Sequence, residues 1–151
     1  MPMNVFVTGG AGYIGSVCVE ELLNAGHHVT VFDNLTEGHR SAVDSRAKFV
    51  HGCFSDAALI KTAVRDAKAE AILHFAANAL VGESMTNPSK YFRNNVGSAL
   101  NLLDAAVECG VKKFVFSSTC ATFGVPASLP IHENLPQAPI NPYGQTKLDI
   151  E

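Results

Sequence analysis

A glycine-rich run, Thr8-Gly9-Gly10-Ala11-Gly12-Tyr13-Ile14-Gly15, follows the apolar stretch Val5-Phe6-Val7 and precedes a segment of helical spacing. No other feature restricts the fold of this chain as much. Glycine has no β-carbon and reaches backbone conformations closed to other residues, so a strand can turn at once into a helix. The open amides and positive dipole end of such a helix hold an anion. Glycines at this spacing also let the backbone approach a pyrophosphate closely. A glycine run alone describes any tight turn. Set between a strand and a helix, it predicts the first βαβ unit of a dinucleotide-binding sheet.

The rest of the chain repeats that alternation. Strands are predicted at residues 5–8, 29–32, 49–50, 71–75 and 114–116. A helix over about residues 13–25 has Ile14, Val17, Leu22 and Leu23 as core candidates and Gly26 at its end. A second begins near Ser55-Asp56, where Asp56 offers negative charge to the helix dipole. A long helix over about residues 88–109 brings Val96, Leu100, Leu103 and Val107 to one face, with Gly110 capping it. Pro142 suits the first turn of a last helix, and no stop signal follows Glu151. The expected fold is α/β: a Rossmann-type doubly wound parallel sheet, one domain over residues 1–151.

Composition narrows the function classes. A length of 151 residues, 47% hydrophobic, supports one buried core without disulfides. The net charge is −3 with no block of like charges, which argues against nucleic-acid binding. The longest apolar runs are strand-sized, far short of the ~20 residues that span a bilayer. Met1-Pro2-Met3-Asn4 has no basic region, so no secretory signal is expected. Cys18, Cys53, Cys109 and Cys120 are scattered without CxxC spacing. That predicts reduced thiols, no metal site and a cytoplasmic location.

Two further patterns carry chemistry. Asp33 ends the second predicted strand, 18 residues after Gly15, where a carboxylate accepts hydrogen bonds from ribose hydroxyls. It would repel a 2′-phosphate, so NAD is favoured over NADP; an Asx turn with Asn34 is the simpler role for the same residue. Tyr143 and Lys147 stand one helical turn apart on one face. An adjacent ammonium favours the phenolate, which could then take a proton from a hydroxyl. Alone, this spacing describes a surface helix with an extended lysine. The upstream glycine turn and the hydroxyl cluster Ser117-Ser118-Thr119, at the carboxyl end of the fifth strand, favour the chemical reading.

Together these residues resemble the extended short-chain dehydrogenase/reductase family, in its NAD-dependent epimerase/dehydratase group and closest to the UDP-glucose 4-epimerase branch. The resemblance covers essentially the whole chain through TGGAGYIG, FDN, HFAA, VGES, NNV, FSSTCATFG and NPYGQTK, in that order. It implies that Tyr143 is the catalytic base, Lys147 its partner and Thr119 the active-site hydroxyl. Gly9, Gly12, Tyr13, Ile14 and Gly15 would hold the pyrophosphate of NAD, and Asp33 and Asn34 its adenosine side. Phe75, Ala76 and Ala77 would line the cofactor with Asn94 nearby, and Tyr143 and Lys147 would reach the nicotinamide ribose. The implied reaction passes hydride from C4 of a UDP-sugar to bound NAD and returns it to the opposite face of the 4-keto sugar.

The chain departs from the family pattern at Cys53, where an acidic residue usually follows the glycine, at Ala79 and at Phe123. Related dehydratases carry an Asp-Glu pair just after the threonine. Here Cys120-Ala121 follows Thr119, which favours epimerase over dehydratase. The family's last strands and sugar-binding region would lie beyond Glu151. The 151-residue chain alone is therefore expected not to epimerise. Homodimers of the family pair the long helix with the one beginning at Pro142; with that helix cut short, a dimer of this chain alone is not expected. A cofactor-releasing nucleotide-sugar reductase and a non-catalytic NAD-binding module stay open as alternatives.

Overall fold

Five apolar segments become strands β1 (Asn4–Thr8), β2 (His28–Asp33), β3 (Lys48–His51), β4 (Ala71–His74) and β5 (Lys113–Phe116). The structure, a computed structural model, describes residues 1–151. All strand pairs are parallel, in the order β3-β2-β1-β4-β5. Parallel neighbours require long crossovers, and α1 (Tyr13–Asn24), α2 (Ala57–Asp66) and α5 (Ser98–Glu108) lie within them. The order reverses between β1 and β4, and ligands of open α/β sheets bind at the carboxyl ends beside such a reversal.

The chain divides into two compact units, Met1–Ala76 with Leu100–Ser117, and Ala77–Ala99 with Ser118–Glu151. The first holds the sheet. Its central strands are buried on both faces: Val5, Val7, Val29 and Val31 form one cluster with Val19 and Val43, while Phe6 meets Phe32 at 5.8 Å between ring centres. Each such side chain, fully buried, contributes roughly 1.5–3 kcal/mol. Asp56 caps α2 by accepting from the amide of Leu59 at 2.9 Å. Gly26 and Gly110 close α1 and α5 at positive φ, as their places in the sequence predict.

The second unit contains α3 (Val81–Thr86), α4 (Pro88–Tyr91), a π-helical turn over Phe92–Gly97, a 3-10 turn over Cys120–Phe123 and α6 (Pro142–Leu148). No helix is long and apolar enough to cross a membrane. All four cysteines are free thiols.

Two helix readings are corrected. In α1, Ile14 and Val17 are exposed, and the buried residues are Gly15 and Val19. A β-carbon on Gly15 would collide with the Gly9 carbonyl, so α1 enters by its smallest residue and turns Ile14 outward. The helix read over residues 88–109 is broken into α4, the π turn and α5. Leu100 and Val107 are exposed; the inward face is one residue earlier, at Asn95, Ala99, Leu102 and Ala106, and includes Ala105. Because that face begins with a polar residue and is rich in alanine, the larger apolar side chains beside it dominate the sequence pattern.

Candidate functional site

The glycine turn sits at the carboxyl end of β1. Gly9 has φ +74°, and a β-carbon there would stand 2.6 Å from the amide nitrogen of Ala76. Its own amide donates to the Phe32 carbonyl at 3.0 Å. The turn is thereby closed against the backbone of Phe75 and Ala76, two residues expected to line a cofactor. Gly12 precedes α1 with no capping side chain and no acidic residue in the first turn. The first bond from within the helix is that of the Ser16 amide to the Gly12 carbonyl, at 2.9 Å. The amides of Tyr13, Ile14 and Gly15 thus lie ahead of the helical ladder. Tyr13 and Ile14 themselves are exposed. Uncapped amides at a helix N-terminus fit a pyrophosphate.

Asp33 is buried, and its carboxylate accepts from the amides of Ala11 at 3.0 Å and Leu35 at 2.8 Å. The second contact is an Asx turn; the first ties the carboxylate to the glycine turn itself. A carboxylate offers about four acceptor positions, so two backbone bonds leave capacity for hydroxyl donors. Asn34 is exposed and accepts from the Thr36 amide at 3.0 Å. Its side-chain amide faces the Cys53 sulfur at 3.9 Å. One contact was not anticipated from sequence. Thr8 and His74, both buried, share a 2.6 Å hydrogen bond between Oγ1 and Nδ1 that links the ends of β1 and β4.

The second unit holds the hydroxyl, phenol and ammonium groups. Asn141 caps α6 by accepting from the Gly144 amide at 2.7 Å, with Pro142 in the first turn. Gly144 lets α6 press on the 3-10 turn: a β-carbon would stand 2.6 Å from the Ala121 carbonyl oxygen. The Lys147 ammonium is 6.0 Å from the centre of the Tyr143 ring. Lys147 is only 4% exposed, and burial pushes its pKa down to about 8. Even so, it is mainly protonated at neutral pH. Thr119 caps the 3-10 turn, its oxygen accepting from the Ala121 amide at 3.2 Å, which leaves its hydroxyl proton to donate elsewhere. Ala77 and Asn94 are half-buried, and Asn94 donates to the Asn95 side chain at 2.9 Å. Asn95 and Thr146 were missed in the sequence. The second asparagine of the NNV motif, falling on the inward face, was the available signal.

A profile of the NAD-dependent epimerase/dehydratase family matches residues 5–151. The chain is similar to UDP-glucose 4-epimerase of Lactobacillus helveticus, 51% identical over 149 residues, covering 99% of this chain and 45% of the relative. Among solved structures it is similar to UDP-glucose 4-epimerase of Brucella ovis in complex with NAD, at TM-score 0.93 and 49% identity. That match covers 95% of this chain and 44% of the other. It is also similar to the UDP-Glc/GlcNAc 4-epimerase of Campylobacter jejuni, at TM-score 0.92 and 42% identity, covering 96% and 46% respectively. The chain thus spans less than half the length of these relatives.

Proposed function

Because the chain belongs to the NAD-dependent epimerase/dehydratase family, we propose that the whole protein is a UDP-glucose 4-epimerase, interconverting UDP-glucose and UDP-galactose through a 4-keto sugar. The reading is carried by Tyr143 paired with a desolvated Lys147 on one turn of α6, in a chain half identical to proteins of that name.

In this proposal residues 1–151 are the cofactor-binding part, and the sugar-binding region lies outside them. Gly9, Gly12, Tyr13, Ile14 and Gly15 hold the pyrophosphate of NAD on open amides, while Asp33 and Asn34 take the adenosine side. Phe75, Ala76, Ala77 and Asn94 line the remainder. Bound NAD supplies the acceptor, and then the donor, of the hydride at C4. Tyr143 accepts the proton of the sugar's 4-hydroxyl as general base and returns it at the end. Lys147 stabilises the phenolate by its charge and donates to the nicotinamide ribose. Thr119 donates its hydroxyl proton to the reacting oxygen. No acidic residue stands between Thr119 and Gly124, which supports epimerisation over dehydration. A homodimer in the cytoplasm completes the reading. The Campylobacter relative, named for both UDP-Glc and UDP-GlcNAc, supports an N-acetylated hexose as a second substrate.

Two measurements test this. Calorimetric titration of NAD is expected to give micromolar or tighter binding, lost in Asp33→Ala. An assay of the protein at its natural length is expected to interconvert the two UDP-hexoses. Tight NAD binding without interconversion would leave a cofactor-binding module; no NAD binding by correctly folded protein would end the proposal.

A further inference from the structure

We propose that Asn34, Cys53 and Ser55 form the base end of the cofactor site, as a neutral rim that takes adenine and hypoxanthine alike. The inference rests on the proposed function for the presence of a dinucleotide, and on the geometry of the sheet-bearing unit for everything else.

The pyrophosphate of a dinucleotide lies at the first βα turn and its ribose at the end of β2. The base, one step further from the pyrophosphate, falls toward the end of the next strand outward, β3. There the chain is held against β2. Asp33 is in register with His51, and the Gly52 amide donates to the Asp33 carbonyl at 3.0 Å. A β-carbon on Gly52 would stand 2.7 Å from the Phe32 ring; this close approach lets Cys53 leave β3 beside Asn34. The Asn34 side-chain nitrogen is 3.9 Å from the Cys53 sulfur, and the Ser55 hydroxyl donates to that sulfur at 3.1 Å. Cys53 is half-buried, while Asn34 and Ser55 are exposed.

Strong acceptors at this rim are already engaged. The amine of adenine donates protons, and the carbonyls around it each accept one from the protein. The Cys53 carbonyl accepts from the Asp56 amide at 3.0 Å. Asn101 donates to the Phe54 and Ser55 carbonyls at 3.0 and 3.3 Å, and His51 Nε2 donates to the Asn34 carbonyl at 3.2 Å. The nearby carboxylates are committed too, Asp56 to the Leu59 amide and Asp33 to those of Ala11 and Leu35. The Asn34 side-chain oxygen accepts from the Thr36 amide at 3.0 Å, which leaves its NH2 group at the rim. What remains is an amide donor, a hydroxyl that serves either way, and a thiol sulfur, a weak acceptor. An amine at the purine's 6-position meets no charged partner there, and a carbonyl oxygen meets a donor. A site rejects an analogue strongly where that analogue leaves a buried polar group unpaired; this part-exposed rim leaves none.

The test is calorimetric titration of NAD and of nicotinamide hypoxanthine dinucleotide into the protein at natural length, freed of resident nucleotide. Cys53→Asp and Cys53→Asn are the variants. The two dinucleotides are expected to bind wild type within about threefold of one another. Cys53→Asp supplies a carboxylate to the amine, and charge-assisted hydrogen bonds are the stronger kind, so its preference for NAD should be about tenfold or more. Cys53→Asn has the same shape without the charge and should stay near the wild-type ratio. Because the readout is a ratio of two affinities in one protein, a partly folded variant does not disturb it. Where a variant does not fold at all, the wild-type ratio decides. A wild-type preference for NAD of about tenfold or more overturns the proposal and leaves the proposed function standing. An unchanged ratio in Cys53→Asp also overturns it, since the base then lies away from Cys53. Folded wild type that binds neither dinucleotide overturns the proposed function as well.

Discussion

The two units bury different kinds of side chain. In the sheet-bearing unit, Val5, Phe6, Val7, Val31, Ile72 and Leu102 are almost entirely enclosed, in company with many other apolar residues. In the second unit the buried apolar residues are Tyr91 and Ala99. Its enclosed groups are otherwise polar or charged: Ser84, Asn95, Ser98, Thr122, Thr146 and Lys147. The Tyr91 hydroxyl, with one proton to donate, lies 2.7 Å from the Leu80 carbonyl and 2.8 Å from the Glu83 carboxylate. Apolar burial is nondirectional and roughly proportional to area, whereas hydrogen bonds also fix orientation. The first unit is therefore held mainly by apolar burial, with Thr8, Asp33 and His74 as its hydrogen-bonded polar exceptions, and the second mainly by hydrogen bonds that place particular atoms.

The strongest challenge to that contrast is a pair of substitutions, one in each unit. Tyr143→Phe is expected to lower epimerisation by about 10²–10⁴-fold, the usual worth of a general base, while shifting stability by less than about 0.5 kcal/mol. Ile72→Ala should do the reverse, destabilising by about 2–5 kcal/mol with kcat near wild type in the protein that remains folded. Steady-state kinetics and urea titrations measure both. A Tyr143→Phe protein with near-normal turnover would remove the distinction and the proposed base together.

Lys147 gives the next largest effect. Its folded pKa, about 8, lies below the ordinary lysine value of 10.5. The unfolded chain therefore binds more protons between these values, and stability rises with pH across that window. The lysine's full contribution is present above the unfolded value and is lost as pH falls through the folded one. The expected difference is on the order of 3 kcal/mol. Lys147→Met, compared with wild type by urea titration from pH 7 to 11, should lack this rise. Parallel profiles for the two proteins would show that burial does not act on the charge.

The smallest effect sharpens the comparison. Asp56→Ala and Asn141→Ala each remove an N-cap and should each cost about 1 kcal/mol. Only Asn141→Ala, at the head of the helix that carries Tyr143 and Lys147, should also lower kcat. Equal kcat in both variants would mean that the cap is structural alone.

Much of this was legible in the residues. The strands, the glycine turn, the helix start near Asp56 and the glycines closing α1 and α5 followed from local rules of period and backbone freedom at glycine, and the family followed from the resemblance of its motifs; that Asp56 caps α2 through the Leu59 amide came from the structure. Those rules reach as far as a turn of helix or a strand. They misplaced the faces of α1 and α5, because which face points inward depends on what it meets. Gly15 faces inward because the Gly9 carbonyl leaves no room for a side chain. Asn95 does so because Asn78 and Thr146, distant in sequence, complete its hydrogen bonds. The π turn that interrupts the long helical segment has no local signature in the sequence.

The sequence by itself determined the class of fold and singled out the candidate groups for chemistry, since both readings depend on residue type and short-range spacing. Tertiary structure decided which of those groups are desolvated and which are pinned. Burial lowers the pKa of Lys147, the Ala11 amide engages Asp33, and Asn95 reaches the turn of α6 through Thr146. Desolvation and hydrogen-bond satisfaction are set by atoms that meet only after the chain has folded, so no local pattern encodes them.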